Sequence, residues 1–131
     1  VIDTSLLILI LIVLVLVGVL AVVARLAKPP MNKKHFEKKW SEIVAEKASP
    51  MAVIKADSLV DEALRHAHIK GQTMGERLNN SKGLVRDING TWSAHKLRNK
   101  LVHETTMVLS DAQANKALKE FKKALKDLGA L

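Results

Sequence analysis

The chain has 131 residues, 48% of them hydrophobic, and 21 Lys and Arg against 13 Asp and Glu give a formal charge of +8. It contains no Cys, which excludes a disulfide framework and every thiolate metal or nucleophile site. Three Pro and six Gly are too few for a low-complexity linker.

The average conceals two dissimilar parts. From Thr4 to Ala24 there are 21 residues without a charge, nearly all aliphatic. About 20 helical residues cross a hydrocarbon core of roughly 30 Å, and a lone segment satisfies its backbone in lipid only as a helix. A transmembrane helix is therefore expected over residues 5–26, within an anchor of residues 1–28. A cleaved signal peptide fits less well. Only the charge of Asp3 precedes the run, so there is no basic leader, and Arg25 spoils the small-residue pattern that would end at Ala27. Arg25, Lys28, Lys33, Lys34, Lys38 and Lys39 follow the span with Glu37 as the one acid among them. The positive-inside rule places that flank in the cytoplasm and the short N-terminus outside. Lys33, Lys34, Lys38 and Lys39 would then meet anionic lipid, at about 1 kcal/mol each near the surface.

Pro29 and Pro30 end the anchor. Phe36, Trp40, Ile43, Val44 and Ala48 form one helical stripe, a basic juxtamembrane amphipathic helix within residues 29–49. Ser49-Pro50 reads as an N-cap followed by an N1 proline. The helix it opens has the stripe Val53, Ala56, Val60, Ala63, Leu64 and Ala67, with Gly71 as its stop. Thr73 to Glu76 has the capping-box pattern for a short helix reaching Leu78, and Asn79 to Gly83 has turn chemistry. A further helix is expected from about Ile88 to Glu104. Ser110 to Gln113 is a second capping box, opening a helix with the stripe Ala114, Ala117, Leu118, Phe121, Leu125 and Leu128 and the C-capping Gly129. No window alternates with period two. The fold class is all-α: one transmembrane helix, then a small antiparallel bundle of four to five helices, with residues 50–131 as its body.

No metal or cofactor is expected. His66 and His68 stand about 200° apart on a helix and cannot share an ion. Glu62 and His66 make only two ligands. The glycines fit no phosphate loop, and there is no nucleophile elbow. After Ala24 there are 21 basic residues against 12 acidic ones, a balance of +9. Lys116, Lys119, Lys122, Lys123 and Lys126 read as a solvated helix face.

The unusual stretch runs from Ala94 to Glu104. At about 100° per residue, Ala94, Leu97 and Leu101 share a core-facing stripe. Ile88, Trp92, His95, Asn99 and His103 share a second face, and Arg98 lies between the two. Trp and Ile beside two His and an Asn suit a cleft or an interface, with Trp92 and His95 as its contact residues. The plainer reading also stands: Trp92 packs on a neighbouring helix, while Arg98 and His103 serve the helix C-terminus.

Arg98-Asn99-Lys100-Leu101-Val102-His103 resembles the Arg-x4-His motif of HEPN domains, with the polar Asn99 after the Arg. The resemblance covers roughly residues 50–128. It implies a helical bundle with the motif in a late helix, and it leaves a metal-independent endoribonuclease and a non-catalytic module both open. In the first case Arg98 would hold and neutralise the phosphate, Asn99 would position it or the base, and His103 would be the general acid or base for attack by a ribose 2′-OH. Lys96 and Lys100 would meet RNA phosphate, and two copies would meet at the motif helices as a homodimer. In the second case the chain is a membrane-tethered dimerisation or interaction module. The chain has no Tyr two positions after His103, where some members carry one; Thr105 stands there.

Overall fold

In the computed structural model the described residues are 1–27 and 29–131; Lys28 of the basic flank lies outside them. They form helices α1 (Thr4–Leu26), α2 (Lys33–Ala45), α3 (Pro50–His66), α4 (Met74–Asn80), α5 (Ile88–His103) and α6 (Asp111–Asp127), with no strand among them. Two compact units divide the chain, Val1–Pro30 and Met31–Leu131.

The first unit is α1. Its 23 residues span about 34 Å, and none is buried against protein. A helix apolar on every side finds stability either inside a large core or in a bilayer. This one is long and apolar enough to cross a membrane. The Asp3 carboxylate accepts from the Ser5 backbone N–H at 3.3 Å and caps its N-terminus.

The second unit is a bundle built around α3, which packs against α2, α4, α5 and α6. Phe36 of α2, Val53, Val60 and Leu64 of α3, Leu78 of α4, and Phe121 and Leu125 of α6 are sealed in one core. α2 is therefore part of the bundle. Its stripe holds at Phe36, Trp40 and Ile43, but Val44 is exposed, and the helix stops at Ala45 before reaching Ala48. Lys47, with φ 58°, turns the chain there and donates to the Val44 carbonyl. Glu62 of α3 fastens α2 a second time, accepting from His35 Nε2 at 2.6 Å and from Lys39 Nζ at 2.9 Å. The ammonium of Lys39, one of the four lysines expected at lipid, is thus engaged within the protein, whereas Lys33, Lys34 and Lys38 are exposed.

The caps account for most helix ends. Ser49 accepts from Ala52 N, and Ser110 and Gln113 complete a reciprocal capping box. At Gly129, with φ 77°, the N–H bonds to Lys126 O and that of Ala130 to Leu125 O, a Schellman ending. α3 has the same ending, and it overturns the expected stop at Gly71. His68 takes φ 58° and bonds to Arg65 O, while Ile69 N bonds to Leu64 O. The helix accordingly closes at His66. Thr73 caps α4, but the Glu76 carboxylate accepts from Gln72 N instead of the cap residue, and the helix runs on to Asn80, past the expected Leu78.

α5 begins where two carboxylates crowd a glycine. Asp87 accepts from Gly90 N at 2.9 Å and from Lys123 Nζ at 2.6 Å, and Lys123 Nζ also lies 2.8 Å from Glu120 Oε2 as an ion pair. The bond from Lys123, with that from Gly90, holds the Asp87 carboxyl down at about 2. A Cβ on Gly90 would meet Asp87 Oδ2 at 2.6 Å and press on the Glu120 carboxylate.

Two outcomes follow for stability. At an open helical site Gly→Ala gains about 1 kcal/mol; Gly90→Ala should gain less than that in urea titration, because the Asp87 and Glu120 carboxylate ends must swing aside. Burial would raise the Glu62 carboxyl, but the bonds from Lys39 and His35 outweigh it and hold the group below its ordinary value of 4.5. Its contribution is therefore complete above that value and is lost as pH falls through the native one. Glu62→Gln should be less stable than wild type at neutral pH, and the gap should close in acid when thermal unfolding is followed by circular dichroism.

Candidate functional site

The polar residues of α5 face inward to a greater degree than their sequence suggests. His95 is 8% exposed and its Nδ1 lies 2.8 Å from Oδ1 of Asp57, itself 3% exposed on α3. Arg98 Nε stands 3.3 Å from the other oxygen of the same carboxylate, an ion contact that falls short of hydrogen-bond geometry. Arg98 Nη1 donates to Asn99 Oδ1 at 3.0 Å. This turns the Asn99 amide nitrogen toward His95 Nε2, 3.4 Å away. The four side chains close a ring. The orientation of the Asn99 amide toward Nε2 fits the tautomer in which His95 donates from Nδ1 to Asp57.

One buried carboxylate thus answers two cationic or donor groups from α5. Removing a buried charge's partners is costly, and satisfying it from two sides is what makes it tolerable. His95, grouped with Trp92 as a contact residue, is buried within the bundle and engaged by Asp57. Trp92 is half-buried, with its ring 5.7 Å from that of His95 in an edge-on arrangement. A Cβ on Gly75 of α4 would come within 3.1 Å of the Trp92 ring, so the indole packs closely on that helix.

Asp57, His95 and Arg98 line a cleft of about 580 Å³ between α3, α4 and α5. Asp61, Arg65, Arg77, Gln72 and Thr73 complete much of its wall. Arg77 grips Asp61 with two bonds of 2.7 and 3.0 Å and donates a third, of 2.5 Å, to Gly71 O, which ties α4 to α3.

The remaining motif residues lie elsewhere. His103 is the last residue of α5 and is exposed; it does not line the cleft. Lys96 and Lys100 are exposed beside a separate groove of about 370 Å³ between α5 and α6, with Lys116, Gln113 and Glu120. The fold brings Arg98, Asn99 and His95 together and leaves His103, Lys96 and Lys100 apart from them. Asp57, Asp61 and Arg77 were absent from the sequence reading. Among the described residues no group of three or more His, Asp and Glu is placed to hold a metal ion.

Compared with protein-family models, curated proteins and solved structures, the chain matches none.

The ring has a stability signature distinct from that of His103. Asp57→Ala leaves Arg98 and His95 without their shared acceptor and should cost about 3 kcal/mol. His103→Ala, at an exposed helix end, should stay within about 0.5 kcal/mol of wild type. Chemical denaturation of the two variants side by side checks both values.

Proposed function

We propose that the chain is a membrane-anchored, HEPN-like module that processes RNA as a homodimer without a metal ion. α1 is its anchor, with the N-terminus outside and the bundle in the cytoplasm, where Lys33, Lys34 and Lys38 lie beside anionic lipid. The observation that supports this reading is the division of labour on α5: Arg98 and Asn99 are held in a fixed ring, while His103 at the helix end is exposed.

That arrangement suits the chemistry implied by the motif. Attack of a ribose 2′-OH on the adjacent phosphorus needs a base for the hydroxyl proton. The exposed imidazole of His103 can take it. The 2′-oxygen forms its bond to phosphorus, the bond to the 5′-oxygen breaks, and the leaving oxygen gains a proton. A guanidinium offsets charge on the phosphoryl oxygens with a planar fork. Arg98 and His103 stand about 140° apart around α5, so one protomer does not point both at one phosphate. Two motif helices meeting across a dimer would pair the Arg98 of one copy with the His103 of the other.

A second reading has its own support. The charge of Arg98 is already answered by Asp57 inside the protomer, which suits a non-enzymatic tethered interaction module.

The test incubates the full chain, in a neutral detergent, with mixed RNA in the presence of EDTA. Cleavage is expected from wild type and should fall at least a hundredfold in His103→Ala, in line with loss of a general acid or base. RNA left intact by a folded wild-type dimer would reject the ribonuclease and favour the interaction module. In that case Trp92→Ala should weaken the dimer and His103→Ala should not.

A further inference from the structure

The cleft between α3, α4 and α5 presents a second arginine that the motif does not contain. Arg65 of α3 lines the same cavity as Arg98, with its side chain 60% exposed. Its contact with Asp61 is loose, 3.5 Å from Nε to Oδ2, because Arg77 already occupies that carboxylate with two bonds. The guanidinium of Arg65 therefore keeps most of its donors free. Arg98 is 29% exposed at its side chain and commits Nη1 to Asn99, with Nε facing Asp57. Thr73 and Gln72 stand at the same cleft, both exposed, with a hydroxyl and an amide able to donate.

We propose that this cleft is a phosphodiester subsite in which Arg65 of α3 and Arg98 of α5 grip the RNA backbone from two sides. The proposal rests on the RNA reading above and extends it from α5 to the α3–α4 wall. Three guanidiniums stand there against two carboxylates, and each carboxylate is already answered from within: Asp61 by Arg77, Asp57 by His95 and Arg98. What remains on offer is cationic and fork-shaped, the geometry that matches phosphate oxygens. A free divalent cation finds no unanswered carboxylate there. The α5–α6 groove is the weaker rival, since it offers single ammonium groups beside the carboxylate of Glu120.

The test measures binding of a fluorescein-labelled, 2′-O-methylated single-stranded RNA, which lacks the 2′-hydroxyl nucleophile, to the full chain in neutral detergent across a NaCl series. Each phosphate contact contributes about 0.7 to the slope of log affinity against log salt for a single strand. Arg65→Gln is expected to reduce the wild-type slope by about that amount and to weaken binding severalfold at low salt. Arg98→Gln should do the same where circular dichroism shows it folded. Lys126→Gln, on the exposed face of α6, should leave the slope unchanged. Wild-type binding with an unaltered slope in Arg65→Gln would overturn the subsite and leave the RNA reading standing. Failure of wild type itself to bind would overturn both. Arg65 decides the matter because, exposed on its helix, it can be replaced without opening the core.

Discussion

A single buried carboxylate, Asp57, sets the geometry on which the polar part of this bundle depends. An unpaired charge at that depth would cost several kcal/mol. The fold accepts it because α5 supplies a ring nitrogen at 2.8 Å and a guanidinium at 3.3 Å to its two oxygens. The consequence is a fixed register. Sliding α5 along α3 by one residue would carry His95 and Arg98 off the carboxylate, whereas apolar contacts alone tolerate small shifts. As α3 also touches α2, α4 and α6, the register of α5 is transmitted to the whole unit.

The arginines and lysines divide the remaining electrostatic work. Arg77 binds Asp61 through two parallel bonds, and Arg86 joins Asp127, whose side chain is only 7% exposed, through its backbone N–H at 2.9 Å and Nε at 2.8 Å. These forks join segments distant in sequence: α4 to α3, and the turn before α5 to the end of α6. Planar, multidentate donors suit this use because less side-chain freedom is lost per bond formed. Most lysines remain in solvent. Lys39, Lys55 and Lys123 are exceptions, each reaching a carboxylate on a neighbouring element. The bond from Asp87 is the leading reason the Lys123 ammonium is held above its ordinary value of 10.5.

What could be read from the sequence was local. The apolar run, the Ser49-Pro50 start, the Ser110 box and the Gly129 stop each depend on residues within a few positions of one another, and each stands in the structure. The stop of α3 was misplaced because a His rarely takes the left-handed position that glycine favours. Here Ile69, packed against the core, closes the turn around His68. The candidate site was legible only on the α5 side. Arg98 and Asn99 lie in the motif, but Asp57 is 38 residues from His95, and Asp61 is 16 from Arg77. One signal for Asp57 was present. It falls four after Val53, three before Val60 and seven before Leu64, in the middle of the buried stripe, where an acid must find a partner. The absence of a charge partner on α3 itself within the stripe pointed to another helix, although nothing in the spacing named α5.

The same geometry changes the meaning of the cations at 96, 98 and 100. In sequence they form a basic cluster, the pattern expected of a phosphate-binding face. On α5, Lys96 and Lys100 are one turn apart and share a face, while Arg98 is about 200° from either. The structure divides them accordingly: two ammonium groups beside the α5–α6 groove, and one guanidinium, part-neutralised by Asp57, in the cleft across the helix. A single phosphate cannot be gripped by all three. On the proposed RNA reading, a strand held at Arg98 would gain its further contacts from α3 and α4, and the cation that shares the cleft with Arg98 is Arg65, 33 positions earlier in the chain, and not the adjacent lysines.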